Sequence, residues 1–213
     1  MIYVILEDET GKSGKELKEL KERNELIKKM AAEAVNFKTY GQIVSSNRDV
    51  RQSIENNDKT LYLFAHGNVR QFGKFWGGTA GVVAENLLDE LKDKLGIFKS
   101  VNSYGKGQKV KTPYIQELVL NSCESAGIAR ELATQLRGNL ESYQSLTVVG
   151  TKGRAFTDLN GQIRVAKSDQ EANEIDQVIK EKGSLNRERY TGLINKKCHP
   201  ASMGLEKFPI NQN

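Results

Sequence analysis

The sequence predicts an α/β layered fold with a mostly parallel central sheet flanked by helices, and three observations carry that prediction. Short apolar runs recur at residues 2–6, 60–65, 118–120 and 146–150. Stretches with apolar residues at helical spacing lie between them. The runs at 60–65 and 118–120 also end in the same way, in a small polar step at His66-Gly67 and at Asn121-Ser122-Cys123. Strand and helix patterns that alternate in this way imply crossover connections between parallel strands.

Residues 2–6 are apolar, rich in β-branched side chains and followed by acids, which predicts a buried strand. Gly11 and Gly14 break the chain. Leu17, Leu20, Ile27, Met30, Ala31 and Ala34 then mark one face of a long amphipathic helix. A polar stretch around Ser46 precedes a short helix from Arg48 through Ile54, and Asn56-Asn57-Asp58 turns the chain. Residues 60–65 form a continuous apolar run, as expected of a central strand covered on both faces. Residues 72–78 are rich in glycine and aromatics and predict a loop or hairpin. Thr79 is a candidate N-cap for a helix that carries Val82, Val83, Leu87, Leu88, Leu91 and Leu95. Residues 99–112 are polar and basic and predict an exposed loop.

The second half repeats the grammar. Residues 117–123 predict a strand, Ile128, Leu132, Ala133 and Leu136 a helix, and residues 146–150 another buried strand. Asn160-Gly161 predicts the turn of a hairpin over 157–165. Residues 171–182 predict a helix, and the tail from 185 is polar, with Cys198-His199-Pro200 read as an exposed turn. No internal repeat or linker divides the chain. A single domain over 1–213 is expected, with a core at about 1–150 and an appended hairpin, helix and tail at 151–213.

Composition narrows the chemistry. The 213 residues are 38% hydrophobic and 28% charged, values of an ordinary globular chain able to bury one core. No apolar run approaches the ~18–20 residues of a membrane span. No basic stretch precedes the first apolar run, so no secretory leader is expected. The net charge of +5 is spread among interleaved acids and bases, which argues against a nucleic-acid partner. With only 2 Cys and 2 His, a disulfide scaffold is excluded and a metal centre is not expected. Thiol or imidazole chemistry must therefore use Cys123, Cys198, His66 or His199.

Ligands of open parallel sheets bind outside the carboxyl ends of the strands. His66 and Cys123 both occupy such ends. If the two strands are neighbours, the imidazole can take the thiol proton, and the following helix end favours the thiolate. The Gly67 and Cys123 amides are candidate donors to a developing oxyanion. Taken alone, a cysteine after a strand is more often a small buried hydrophobe. A Cys123–Cys198 disulfide is a competing assignment.

The segment Leu61-Tyr62-Leu63-Phe64-Ala65-His66-Gly67, followed by Leu118-Val119-Leu120-Asn121-Ser122-Cys123, resembles the caspase-like cysteine peptidases (clan CD). The closest likeness is to the self-cleaving cysteine protease domain of large bacterial toxins, over residues 59–167. Ser122 stands where that family usually has Ala or Gly, and Glu124-Ser125 replaces the caspase pentapeptide. The resemblance implies a three-layer caspase-like sandwich and a His66–Cys123 dyad acting through an acyl-thioester. It implies a substrate pocket near Val149, Gly150, Thr151 and Lys152, with Lys152 or Arg154 able to select an acidic residue. It also implies inositol hexakisphosphate as an activator, for which Lys152, Arg154, Arg164 and Lys167 are the candidate polyanion-binding residues. The expected substrate is a polypeptide, the chain itself included, with residues 99–112 a candidate cleavage site. The expected setting is the cytoplasm, or delivery into a target cell as an effector or toxin module. The competing functions are a non-catalytic α/β module that binds an acidic or polyphosphate partner, and a non-peptidase thiol acyltransferase or amidase.

Overall fold

A computed structural model describes residues 1–36, 41–98, 115–137, 146–158, 162–182, 187–200 and 202–210. Strand β1 (Ile2–Val4) leads through α1 (Gly14–Asn36) and α2 (Asn47–Glu55) to β2 (Thr60–Phe64). Three two-residue strands follow, β3 (Gly67–Asn68), β4 (Gln71–Phe72) and β5 (Phe75–Trp76). Helix α3 (Ala80–Glu90) continues into a π-helical turn at Leu91–Leu95. Next come β6 (Glu117–Asn121), α4 (Ala126–Arg137), β7 (Thr147–Thr151), β8 (Ala155–Thr157) and β9 (Ile163–Val165). Helices α5 (Asp169–Lys182) and α6 (Arg187–Lys197) precede the last strand, β10 (Leu205–Pro209).

The fold is α/β. Its central sheet has five strands in the order β1-β2-β6-β7-β10, with the first four parallel and β10 antiparallel to β7. Side chains on a strand alternate between faces, and the sequence of β2 and β6 fits that period. Leu61, Leu63, Leu118 and Leu120 are fully buried on one face with residues of α3 and α4. Phe64 turns to the other face, against Ile2, Ile27, Ala31 and Ala34 of β1 and α1. Val119 and Val149 also take that face, under Ile163 of the β8–β9 hairpin. Covering both faces explains why β2 and β6 read as unbroken apolar runs, and each buried leucine contributes roughly 1.5–3 kcal/mol.

Local signals set the boundaries. Ser46 and Asp49 form a reciprocal capping box that starts α2. Thr79 accepts the Val82 amide and starts α3. Gly150 lets β7 lie directly on α4, because a Cβ there would come within 2.6 Å of the Ala126 Cα.

Several expectations are refined. Residues 72–78 belong to the small β3-β4-β5 meander. The hairpin begins earlier, at Ala155, and its Asn160-Gly161 turn lies outside the described residues, as does the segment 99–112. The polar tail is not an exposed turn. It contains α6 and β10, and Cys198 is buried among Ile175, Ile194 and Phe156. Backbone bonds tie it to the hairpin, from His199 N to Val165 O and from Lys167 N to Lys197 O. Its polarity reflects its place at the sheet edge and on the outer face of α6, where only a narrow apolar stripe is needed.

Candidate active site

Strands β2 and β6 are neighbours in strict register, with Phe64 opposite Asn121. His66 and Cys123 each lie two residues beyond that pair. Ala65 N donates to Asn121 O, so the pairing continues one step past β2. Adjacent strands run ~5 Å apart, which brings the two residues to one end of the sheet. Close packing seals the junction. A Cβ on Gly67 would come within 2.2 Å of Gln71 O and 2.5 Å of Ser122 Oγ. Gly67 is thus fixed by packing on the Cys123 side of the site as well as by any donor role of its amide.

Cys123 opens the turn between β6 and α4. Thr151 and Ser125, both fully buried, brace this turn. The Thr151 hydroxyl donates to Ser122 O, and the Ser125 hydroxyl donates to Leu120 O at 2.8 Å. Thr151 N donates to Ser125 Oγ at 3.0 Å. Glu124 has a left-handed backbone, φ 53°, and its amide donates to Gly153 O. The Cys123 sulfur is half-buried and accepts the Ala155 amide at 3.4 Å. Burial pushes the thiol pKa up, while the Ala155 amide and the Arg154 charge pull against it. The direction differs from the lowering expected of the following helix end, because burial raises this pKa.

His66 lies against a carboxylate that sequence reasoning did not single out. Glu7 follows β1, the third consecutive strand end, and its side chain is 9% exposed. Its Oε1 lies 3.3 Å from His66 Nδ1. The same carboxylate accepts Arg23 Nε at 2.7 Å and Gln71 Nε2 at 3.1 Å. The His66 Nδ1 contact is off the hydrogen-bond line, and Nδ1 is sealed from solvent without another partner. The side chain as a whole is 43% exposed, so the remainder of the ring faces outward. Burial lowers the His66 pKa and the Glu7 charge only partly restores it. Burial would raise the Glu7 carboxyl, but Arg23, His66 and Gln71 together hold it below its ordinary value. The signal for Glu7 in the sequence was its position just past the first apolar run, matching His66 and Cys123 at theirs.

The other predicted residues divide. Val149 and Thr151 are buried and Lys152 is exposed. Strand β10 covers the outer edge of β7 opposite Val149, Gly150 and Thr151. Arg154 is held by Asp176 and Asn173. Arg164 donates to His199 O at 2.9 Å and contacts Asp158, and Lys167 donates to Lys196 O at 2.7 Å. Three of the four candidate polyanion cations thus already serve internal partners. Cys123 and Cys198 are both free thiols. Among the described residues no group of His, Cys, Asp and Glu could hold a metal ion, and no helix is long and apolar enough to cross a membrane. No protein-family model and no curated protein matches the chain.

Proposed function

We propose that the chain is a caspase-like cysteine endopeptidase whose nucleophile is Cys123 and whose acid–base group is His66. The observation that carries this reading is the register of β2 and β6, which sets the two residues at equivalent positions beyond one strand pair. His66 takes the Cys123 proton as sulfur attacks the scissile carbonyl carbon. A tetrahedral oxyanion forms, and the Gly67 and Cys123 amides are its candidate donors. The C–N bond then breaks, the leaving amine takes the proton from His66, and an acyl-thioester remains on Cys123. His66 next deprotonates water, which attacks the thioester, and the thiol recovers its proton. Glu7 steadies the imidazolium that forms in both steps, with Arg23 and Gln71 fixing its carboxylate.

In this reading the substrate is a polypeptide, the chain itself included, and the setting is that of a bacterial effector or toxin module. Inositol hexakisphosphate is the candidate activator. Because Arg154 and Arg164 already have partners, its binding would require some of those contacts to exchange.

The test incubates purified protein with and without inositol hexakisphosphate, beside Cys123→Ala and His66→Ala. The expected result is self-cleavage or peptide cleavage that needs both residues. Cleavage that survives either substitution, or none at all with activator present, sinks the proposal. The half-burial of Cys123, with the Ala155 amide on its sulfur, favours a second reading, a non-catalytic module that binds an acidic or polyphosphate partner. That reading expects polyphosphate binding unchanged by Cys123→Ala and slow alkylation of Cys123. A thiol acyltransferase or amidase would form the same thioester and differ only in the acceptor.

A further inference from the structure

The turn that carries Cys123 holds an unexplained charge. Glu124 adopts φ 53°, a backbone conformation that an L side chain enters at a cost of about 1–2 kcal/mol and that Gly or Asn enters more readily. A turn needing only this geometry would be better served by either of them. The Glu124 side chain is half-buried and no cation pairs with it among the described residues. Its amide is fixed on Gly153 O, so the side chain is carried at a defined place beside the nucleophile.

The Arg154 charge is engaged elsewhere. Arg154 precedes the Ala155 amide that meets the Cys123 sulfur, and its guanidinium is held by Asp176 and Asn173. Asp176 is thus paired with Arg154, whereas no cation pairs with Glu124 among the described residues. Strain held at a residue beside a reactive group is a mark of function when the side chain has no structural role.

Resting on the peptidase reading, we infer that Glu124 is a specificity residue that receives a cationic side chain, Lys or Arg, of the polypeptide beside the bond that Cys123 attacks. The bound cation would be the partner that Glu124 lacks in the free protein. This assigns a basic substrate residue, where Lys152 or Arg154 would have selected an acidic one.

The experiment has two arms, run on the full chain and on Glu124→Gln. Glu124→Asn, which suits the left-handed backbone, serves as a second variant should the first fold poorly. The first arm measures Cys123-dependent cleavage of matched peptides with Lys, Arg, Leu or Asp before the scissile bond. At least about tenfold preference for Lys and Arg is expected, falling to about twofold or less in the variants. The second arm labels Cys123 with the trimethylammonium and sulfonate forms of one methanethiosulfonate reagent, located by mass. The ratio of the two rates cancels the intrinsic reactivity of the thiol and reads only the local charge. It should favour the cationic reagent and fall by about fivefold in the variants.

Cleavage that needs Cys123 but shows no basic preference, or a preference unchanged by both variants, overturns the inference and leaves the peptidase reading standing. No cleavage of any peptide, with a labelling ratio that still depends on Glu124, overturns the peptidase reading and supports recruitment of cations by Glu124. A ratio indifferent to Glu124 overturns the inference in either case.

Discussion

Two cysteines of one chain sit in opposite environments. Cys123 is half-buried at the end of a central strand, at the mouth of a braced turn, with an amide on its sulfur and His66 at the equivalent position of the next strand. Cys198 is 1% exposed in an apolar cluster of α5 and α6, and burial pushes its thiol up to about 11. The histidines divide in the same way. Glu7 faces the His66 ring, whereas His199 contributes its backbone, N to Val165 and O to Arg164. A neighbour of the right residue type does not make a site. Cys198-His199 is adjacent in sequence, and Cys198 serves packing. His66 and Cys123 are far apart in sequence, and the sheet register sets them at equivalent positions beyond one strand pair.

The sharpest way to break this contrast is to delete each thiol. Cys123→Ala should lower turnover by at least about a thousandfold, because the proposed thioester route has no other nucleophile. Cys198→Ala should leave turnover unchanged and lower unfolding stability by about 1–2 kcal/mol, since it empties a buried position. Steady-state cleavage and urea melts of both variants read the two effects. Equal losses of activity from the two substitutions would remove the distinction.

A smaller effect is expected at the two glycines that frame these regions. Gly67→Ala would drive a Cβ into Gln71 O and Ser122 Oγ and should destabilise the protein by about 1–3 kcal/mol. Gly192, in α6, has open space around it, and Gly192→Ala should stabilise by about 0.5–1 kcal/mol. Thermal melts with opposite signs are the expected result.

The subtlest comparison concerns pH. His66 must be neutral to accept the thiol proton, and its pKa lies below the ordinary 6.5, so activity should rise with pH through an acid limb below that value. Glu7 raises this pKa, so Glu7→Gln should move the acid limb to lower pH and reduce the maximum rate. Stability follows the same sign. The lowered His66 pKa means that stability falls as pH drops from 6.5 toward the folded value. The lowered Glu7 pKa adds stability above the ordinary 4.5, which is lost as pH falls through the folded value. Glu7→Gln should remove the second loss and keep the first. An acid limb that does not move would take Glu7 out of the mechanism.

The parallel core was legible because its strands are buried on both faces, which leaves Leu61–Phe64 and Leu118–Leu120 unmistakably apolar. Edges were not. Strand β10 reads Leu-Glu-Lys-Phe-Pro, and its charges and proline suit an edge that pairs on one side only. Within the site, His66 and Cys123 were legible because each stands alone after a strand. Glu7 was hidden among neighbouring acids, Asp8 and Glu9, and only the placement of β1 beside β2 sets it against His66. The bracing by Thr151 and Ser125 joins residues 26 apart and needs the packing of β7 against α4.

The most direct measurement is acylation by a peptide-based, thiol-directed acyl probe, followed by intact mass and peptide mapping. A single adduct on Cys123, none on Cys198, and a rate that falls at least about a hundredfold in His66→Ala are the expected results. Adducts on both cysteines, or a Cys123 rate indifferent to His66→Ala, would contradict a dyad at the ends of β2 and β6.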